Sequence, residues 1–131
     1  MPIHVQKLPN EPIIILTYIE PCIPNKDMPA ALAQVAGYLN GGPSPTYVIN
    51  DLMNAKMDLG GMILSMAENA WGGPGSPADA RTRHALVSAA RLVQIVKSAL
   101  GQDQHGQTNL EVYPTLSEAL TAVRQRIAQA Q

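Results

Sequence analysis

Residues 46–70 read TYVINDLMNAKMDLGGMILSMAENA. The opening run, Thr46 to Ile49, is β-branched, aromatic and apolar, the composition of a strand covered on both faces. Polar residues follow in a loop from Asn50 to Lys56. Met62, Ile63, Met66 and Ala70 then recur at the helical period, along a helix expected from Asp58 or Leu59 to Ala70. A strand, a polar loop and a returning helix make up most of a parallel crossover unit, because parallel strands need a long connection between them. This stretch therefore predicts an α/β fold.

Upstream, Ile3, Val5 and Leu8 alternate with His4, Gln6 and Lys7, which suits a half-exposed edge strand. Ile13 to Ile19 is almost continuously apolar and reads as a buried strand. The turn Pro9-Asn10-Glu11 joins the two as a hairpin, making the first strand antiparallel to the rest. After the proline-bearing loop Glu20 to Lys26, a helix is expected from about Asp27 to Leu39, with Asp27 as its cap and Pro29 in its first turn. Leu32, Val35, Ala36 and Leu39 share one face of it. Asn40-Gly41-Gly42-Pro43 stops it.

Downstream, Trp71 to Ala80 (WGGPGSPADA) reads as a loop or lid. His84 to Ser88 is a short strand, Ala89 to Leu100 an amphipathic helix ended by Gly101, and Leu110 to Tyr113 a last strand. Thr115-Leu116-Ser117-Glu118 matches a capping box, placing a terminal helix from Leu116 to about Ala128. The order is ββαβαβαβα. It predicts a single α/β domain over residues 1–131, with a mainly parallel sheet, one antiparallel edge strand from the N-terminal hairpin, and about four helices.

Composition narrows the function classes. Apolar residues are 46% of the chain, charged residues 15%, and the net charge is -1. Dispersed basic residues and the absence of Phe supply neither an electrostatic footprint nor stacking platforms for nucleic acid. Cys22 has no second thiol to pair with, and His4, His84 and His105 sit on different elements, so no metal site is expected. No leader and no membrane-length apolar run is present, which predicts a cytoplasmic protein without membrane insertion.

The element order and the central stretch together resemble the STAS domain, the anti-sigma-factor antagonist family, and within it the SpoIIAA-like bacterial proteins. Asp51-Leu52 is similar to the family's strand end. Met57-Asp58-Leu59-Gly60-Gly61-Met62-Ile63-Leu64 is similar to the Met-Asp-Ser-Ser-Gly-Leu turn that opens the antagonists' second helix. By element order the resemblance covers nearly the whole chain. The departure is specific: where the antagonists carry the phosphorylated serine, this chain has Gly60, preceded by Leu59. The partner switch by phosphorylation is thus not carried over. What the resemblance implies is a regulatory, protein-binding surface with bare glycine amides at a helix N-terminus.

Parallel α/β sheets receive ligands beyond the carboxyl ends of their strands. That edge gathers Asp51 and Asp58, with Asn50, Asn54 and Lys56 as polar neighbours, and Asp51, Asn54, Asp58, Gly60 and Gly61 are candidate partner- or ligand-binding residues. Trp71 is a candidate anchor. Asp51 reads either as an acceptor for a partner or as a loop-fixing carboxylate, and Asp58 either as an anchor or as a helix cap. Gly72-Gly73-Pro74-Gly75-Ser76 lacks the context of a phosphate loop. Arg81, Arg83 and Arg91 form a loose basic cluster that reads as a solvated face. With no nucleophile setting and no cofactor motif, the expectation is a non-catalytic binding module that docks another protein. The alternative is a carrier or sensor of a small apolar ligand held between the second helix and the sheet. A homodimer through strand Ile3 to Lys7 or the Trp71 loop is also expected.

Overall fold

A computed structural model describes residues 3–19, 24–42, 45–53, 80–87 and 110–130. They form strands β1 (Ile3–Lys7), β2 (Ile13–Tyr18), β3 (Thr46–Asp51), β4 (Thr82–Val87) and β5 (Leu110–Tyr113), with helices α1 (Pro24–Leu39) and α2 (Leu116–Ala130). The strands make one five-stranded sheet in the order β1-β2-β3-β4-β5. β1 runs antiparallel to β2, and every later pairing is parallel. The α/β class, the mainly parallel sheet and the antiparallel edge strand expected from the sequence are present. The expected helices Asp58 to Ala70 and Ala89 to Leu100 lie outside the described residues.

The hairpin forms because the chain between its strands carries Asn10 at a φ of 63°. Asparagine tolerates this left-handed conformation where a β-branched residue would not. Leu8 N–H then donates to Ile13 C=O at 3.0 Å and sets the register, with Ile3 opposite Tyr18 and Lys7 opposite Ile14. α1 starts earlier than its sequence suggests. Pro24 is its first residue, so Asp27 lies within the first turn rather than capping it, and Pro29 lies inside the helix. A proline ring at the first helical position presets φ and gives up no needed donor, which favours this earlier start. Pro29 has no N–H to return to the carbonyl one turn back, a lost rung that the helix tolerates near its beginning. At the other end Gly41, at a φ of 78°, turns the chain out, and Gly42 N–H donates to Leu39 C=O at 3.2 Å.

The two sheet faces are distinct. One carries Ile13, Ile15, Tyr47, Ile49, Ala85 and Val87, packed against Ala119 and Val123 of α2. The other carries Ile14 and Leu16 of β2 in register with Val48 and Asn50 of β3 and with His84 and Leu86 of β4, and Tyr18 of β2 opposite Ile3 of β1. α1 packs against β1. It buries Ala31, Leu32, Val35 and Leu39, with Ala36 only half-buried. Since β2, β3 and β4 are covered on both faces, their near-continuous apolar runs are what a central strand requires.

α2 begins as its capping box predicts. Glu118 N–H donates to Thr115 Oγ1 at 3.1 Å. From the carboxyl end of β5 the helix crosses β4 and β3, and Arg124 reaches Glu11 in the hairpin turn, its Nε and Nη2 donating to Oε1 and Oε2 at 2.9 and 3.2 Å. Beneath its start, Tyr113 donates its hydroxyl to Glu111, which also takes a bond from Arg126. Burial pushes the Tyr113 phenol above the ordinary tyrosine range. Above a pH of about 10 the unfolded chain therefore ionises first and binds fewer protons than the folded one, so stability falls as the pH rises further. Tyr113→Phe is expected to make that alkaline decline shallower, measured by urea unfolding at a series of pH values. No described helix is long and apolar enough to cross a membrane.

Candidate docking surface at the carboxyl edge

β2, β3 and β4 all end at the same edge. There Leu52 N–H donates to Val87 C=O at 2.8 Å, extending the β3–β4 ladder one residue past the strand. Asp51, half-buried, accepts a bond from Met53 N–H on its Oδ1 at 3.1 Å. This is the local bond by which an aspartate closes a turn on itself, two residues on. Asp51 thus acts as the loop-fixing carboxylate.

On the face shared with α2, the register brings His4, Thr17 and Asp51 into one row across β1, β2 and β3. His4 is exposed, and Thr17 and Asp51 are half-buried. α2 packs chiefly on β3, β4 and β5 and slants toward the other edge of the sheet, where Arg124 meets Glu11. Two residues beyond Thr17 and Asp51 come Ile19 and Met53, each 47% exposed. Large apolar side chains left half in water at neighbouring strand ends mark a surface suited to contact. A nucleophile–imidazole–carboxylate relay needs the imidazole in the middle. Here the hydroxyl of Thr17 occupies that place, so the row offers hydrogen-bonding groups beside an apolar pair.

Behind this surface, on the opposite sheet face, three polar side chains are joined. Tyr18 hydroxyl donates to Asn50 Oδ1 at 3.0 Å, and Asn50 Nδ2 donates to Ala85 C=O at 3.0 Å. The same Nδ2 lies 3.2 Å from His84 Nδ1. Because Ala85 C=O can only accept, the amide nitrogen must face it, which fixes the orientation of the Asn50 side chain. His84 Nδ1 then faces a donor and must accept, so its ring proton sits on Nε2. All three residues are almost fully buried, at 1%, 6% and 4% exposure. Every described buried side-chain nitrogen and oxygen has a partner.

Of the residues singled out in the sequence, Asp51 lies at this edge. Asn54, Asp58, Gly60, Gly61 and Trp71 lie outside the described residues, as do Met62, Ile63 and Met66, on which an apolar-ligand pocket depends. Arg83 sits at the other end of the sheet and is spent on backbone carbonyls, its Nη1 donating to Ala80 and Thr82 at 3.1 and 2.8 Å. Ile19, expected within a buried strand Ile13 to Ile19, lies past the end of β2 and is exposed, and nothing in the sequence marks Met53, Thr17 and His4 as sharing its edge. Asn50, expected as the first residue of the loop Asn50 to Lys56, is instead buried within β3. No cluster of three metal-ligating side chains occurs among the described residues. Comparison with protein-family models, curated proteins and solved structures finds no match.

Proposed function

We propose that this chain is a non-catalytic, STAS-like binding module of the ββαβαβαβα order, which works by docking another protein at the carboxyl edge of its sheet. The observation that carries this reading is the pair Ile19 and Met53, both 47% exposed, flanking the half-buried Asp51. An apolar centre with hydrogen-bonding groups at its margin is the usual anatomy of a protein interface. The sequential sheet with one antiparallel edge strand supports the family resemblance. With Gly60 in place of the antagonists' serine, binding is constitutive and not governed by phosphate at that position. The cytoplasm is where such a module would work.

The test is capture from a lysate of the source cell by wild-type protein, by Ile19→Asp/Met53→Asp and by Asp58→Lys, each first shown to unfold at the wild-type midpoint. The double variant is expected to lose the captured protein, since two charges now oppose desolvation of the contact. Retention of the same protein at wild-type yield by all three would remove this edge from consideration.

A second copy is the other partner favoured by an observation. Leu8 N–H turned toward Ile13 sets the phase of β1, so Val5 and Lys7 point their backbone groups away from β2. Charged side chains commonly guard such an edge. Lys7 does not, because its ammonium is folded back onto Leu8 C=O at 2.8 Å and onto Glu11 C=O. Light scattering is expected to return a dimer mass that falls to a monomer in Val5→Pro; a wild-type monomer at high concentration would remove this contact.

A further inference from the structure

The Tyr18–Asn50–His84 chain lies directly behind the proposed docking edge. Tyr18 precedes Ile19, and Asn50 precedes Asp51. Their hydrogen bonds tie β2 to β3 and β3 to β4, through Tyr18 hydroxyl to Asn50 Oδ1 at 3.0 Å and Asn50 Nδ2 to Ala85 C=O at 3.0 Å. We infer that Asn50 is a positioning residue, whose amide clamps the carboxyl ends of three neighbouring strands so that Ile19, Asp51 and Met53 stand on one face. The inference rests on the docking reading for its purpose and on the hydrogen bonds alone for its mechanism.

The physical case turns on what apolar side chains cannot do. The face around the chain is Ile14, Leu16, Val48 and Leu86, all buried. Such contacts hold strands together without distinguishing one register from another by more than shape. A slip of one residue would send Asp51 and Met53 to the other side of the sheet. Asn50 resists this because its amide has one direction of donors and one of acceptors. Oδ1 must meet the Tyr18 hydroxyl, while Nδ2 must meet both Ala85 C=O and His84 Nδ1. Only the native register satisfies all of them together. Buried polar groups that are fully paired commonly contribute specificity more than stability, compared with apolar residues of like volume.

The rung most directly exposed to loss of the clamp is Leu52 N–H to Val87 C=O, two residues past Asn50. Its exchange with solvent can be compared with that of Ile49 in the middle of the same strand. The protein to test is Tyr18→Phe/Asn50→Leu/His84→Leu, which removes all three polar side chains together. Asn50→Leu alone, which takes the amide away from Tyr18 and His84, serves as the second variant. The expected result for the triple variant is a cooperative fold with Ile49 exchanging as in wild type and Leu52 exchanging about tenfold faster or more. The nitrogen shifts of His84 in the wild type should report a proton on Nε2 alone, the tautomer the clamp demands. Equal protection of Leu52 in a folded triple variant would overturn the inference, and so would a uniform acceleration at both amides, the behaviour of ordinary core loss. Neither readout needs the docking partner, so failure of the docking surface would leave the clamp standing, and the reverse.

Discussion

Ile49→Ala is expected to lower the stability of the folded chain by about 3 to 4 kcal/mol, among the larger effects of a single side-chain truncation. Ile49 is fully buried at the centre of β3, between β2 and β4, on the face packed by Ala119 and Val123 of α2. Truncation removes buried methyl and methylene groups and leaves a cavity whose walls belong to four separate elements. Two flanking strands hydrogen-bonded to β3 cannot close in, and α2 is held by its Thr115 cap at the start and by the Arg124–Glu11 pair past its middle. Poor collapse puts the cost toward the upper part of the range for such substitutions. Urea unfolding checks it, with a lower midpoint at unchanged slope. A loss below about 1 kcal/mol would mean that α2 can settle onto the sheet, and that the packing of this face is looser than its burial implies.

Asn50→Leu is expected to cost about 3 kcal/mol despite filling a similar volume with an apolar side chain. The replacement cannot accept from Tyr18 or donate to His84, and both of those groups stay buried. Taking a partner away from a buried polar group costs up to roughly 1 to 3 kcal/mol, well above the net worth of the bond when it is made. Part of that sum is recovered by the new apolar contacts. Adding Tyr18→Phe and His84→Leu should restore part of the loss, because the hydroxyl and the ring that lost the amide are then removed with it. Thermal or urea unfolding of the single and the triple variant makes the comparison. If the triple variant were less stable than the single, the network would contribute net stability, and its role would extend beyond fixing the register.

These two residues are adjacent in sequence and face opposite sides of one strand, which shows how unevenly the molecule is written into its sequence. Ile49 announces itself, since a β-branched residue in an apolar run has one obvious destination. Asn50 does not, because an asparagine after such a run reads equally well as the first residue of a loop. β3 in fact continues to Asp51, with Asn50 buried within it. The misplacement of the start of α1 has the same origin. Asp27 looks like a cap by type, but capping depends on where φ and ψ first become helical, and Pro24 decides that three residues earlier.

Some features belonged to the sequence by itself. The period of the apolar residues separated strands from helices, as in the alternation of Ile3 to Lys7 and the capping box that opens α2. Asn10 set the hairpin, because few other residues accept its backbone conformation. The long connections after β2, β3 and β4 required parallel pairing, and hence the carboxyl edge as the place where ligand-facing groups collect. Local chemistry and chain length are enough for all of these. The tertiary structure alone decided which groups meet at that edge. His4, Thr17 and Asp51 share a row only through the registers of two strand pairs, and the exposure of Ile19 and Met53 is a property of the folded chain. Tyr18, Asn50 and His84 lie 32 and 34 residues apart along the chain. No local rule connects residues at such separations; pairing and burial, which act on the folded sheet as a whole, bring them within hydrogen-bond reach.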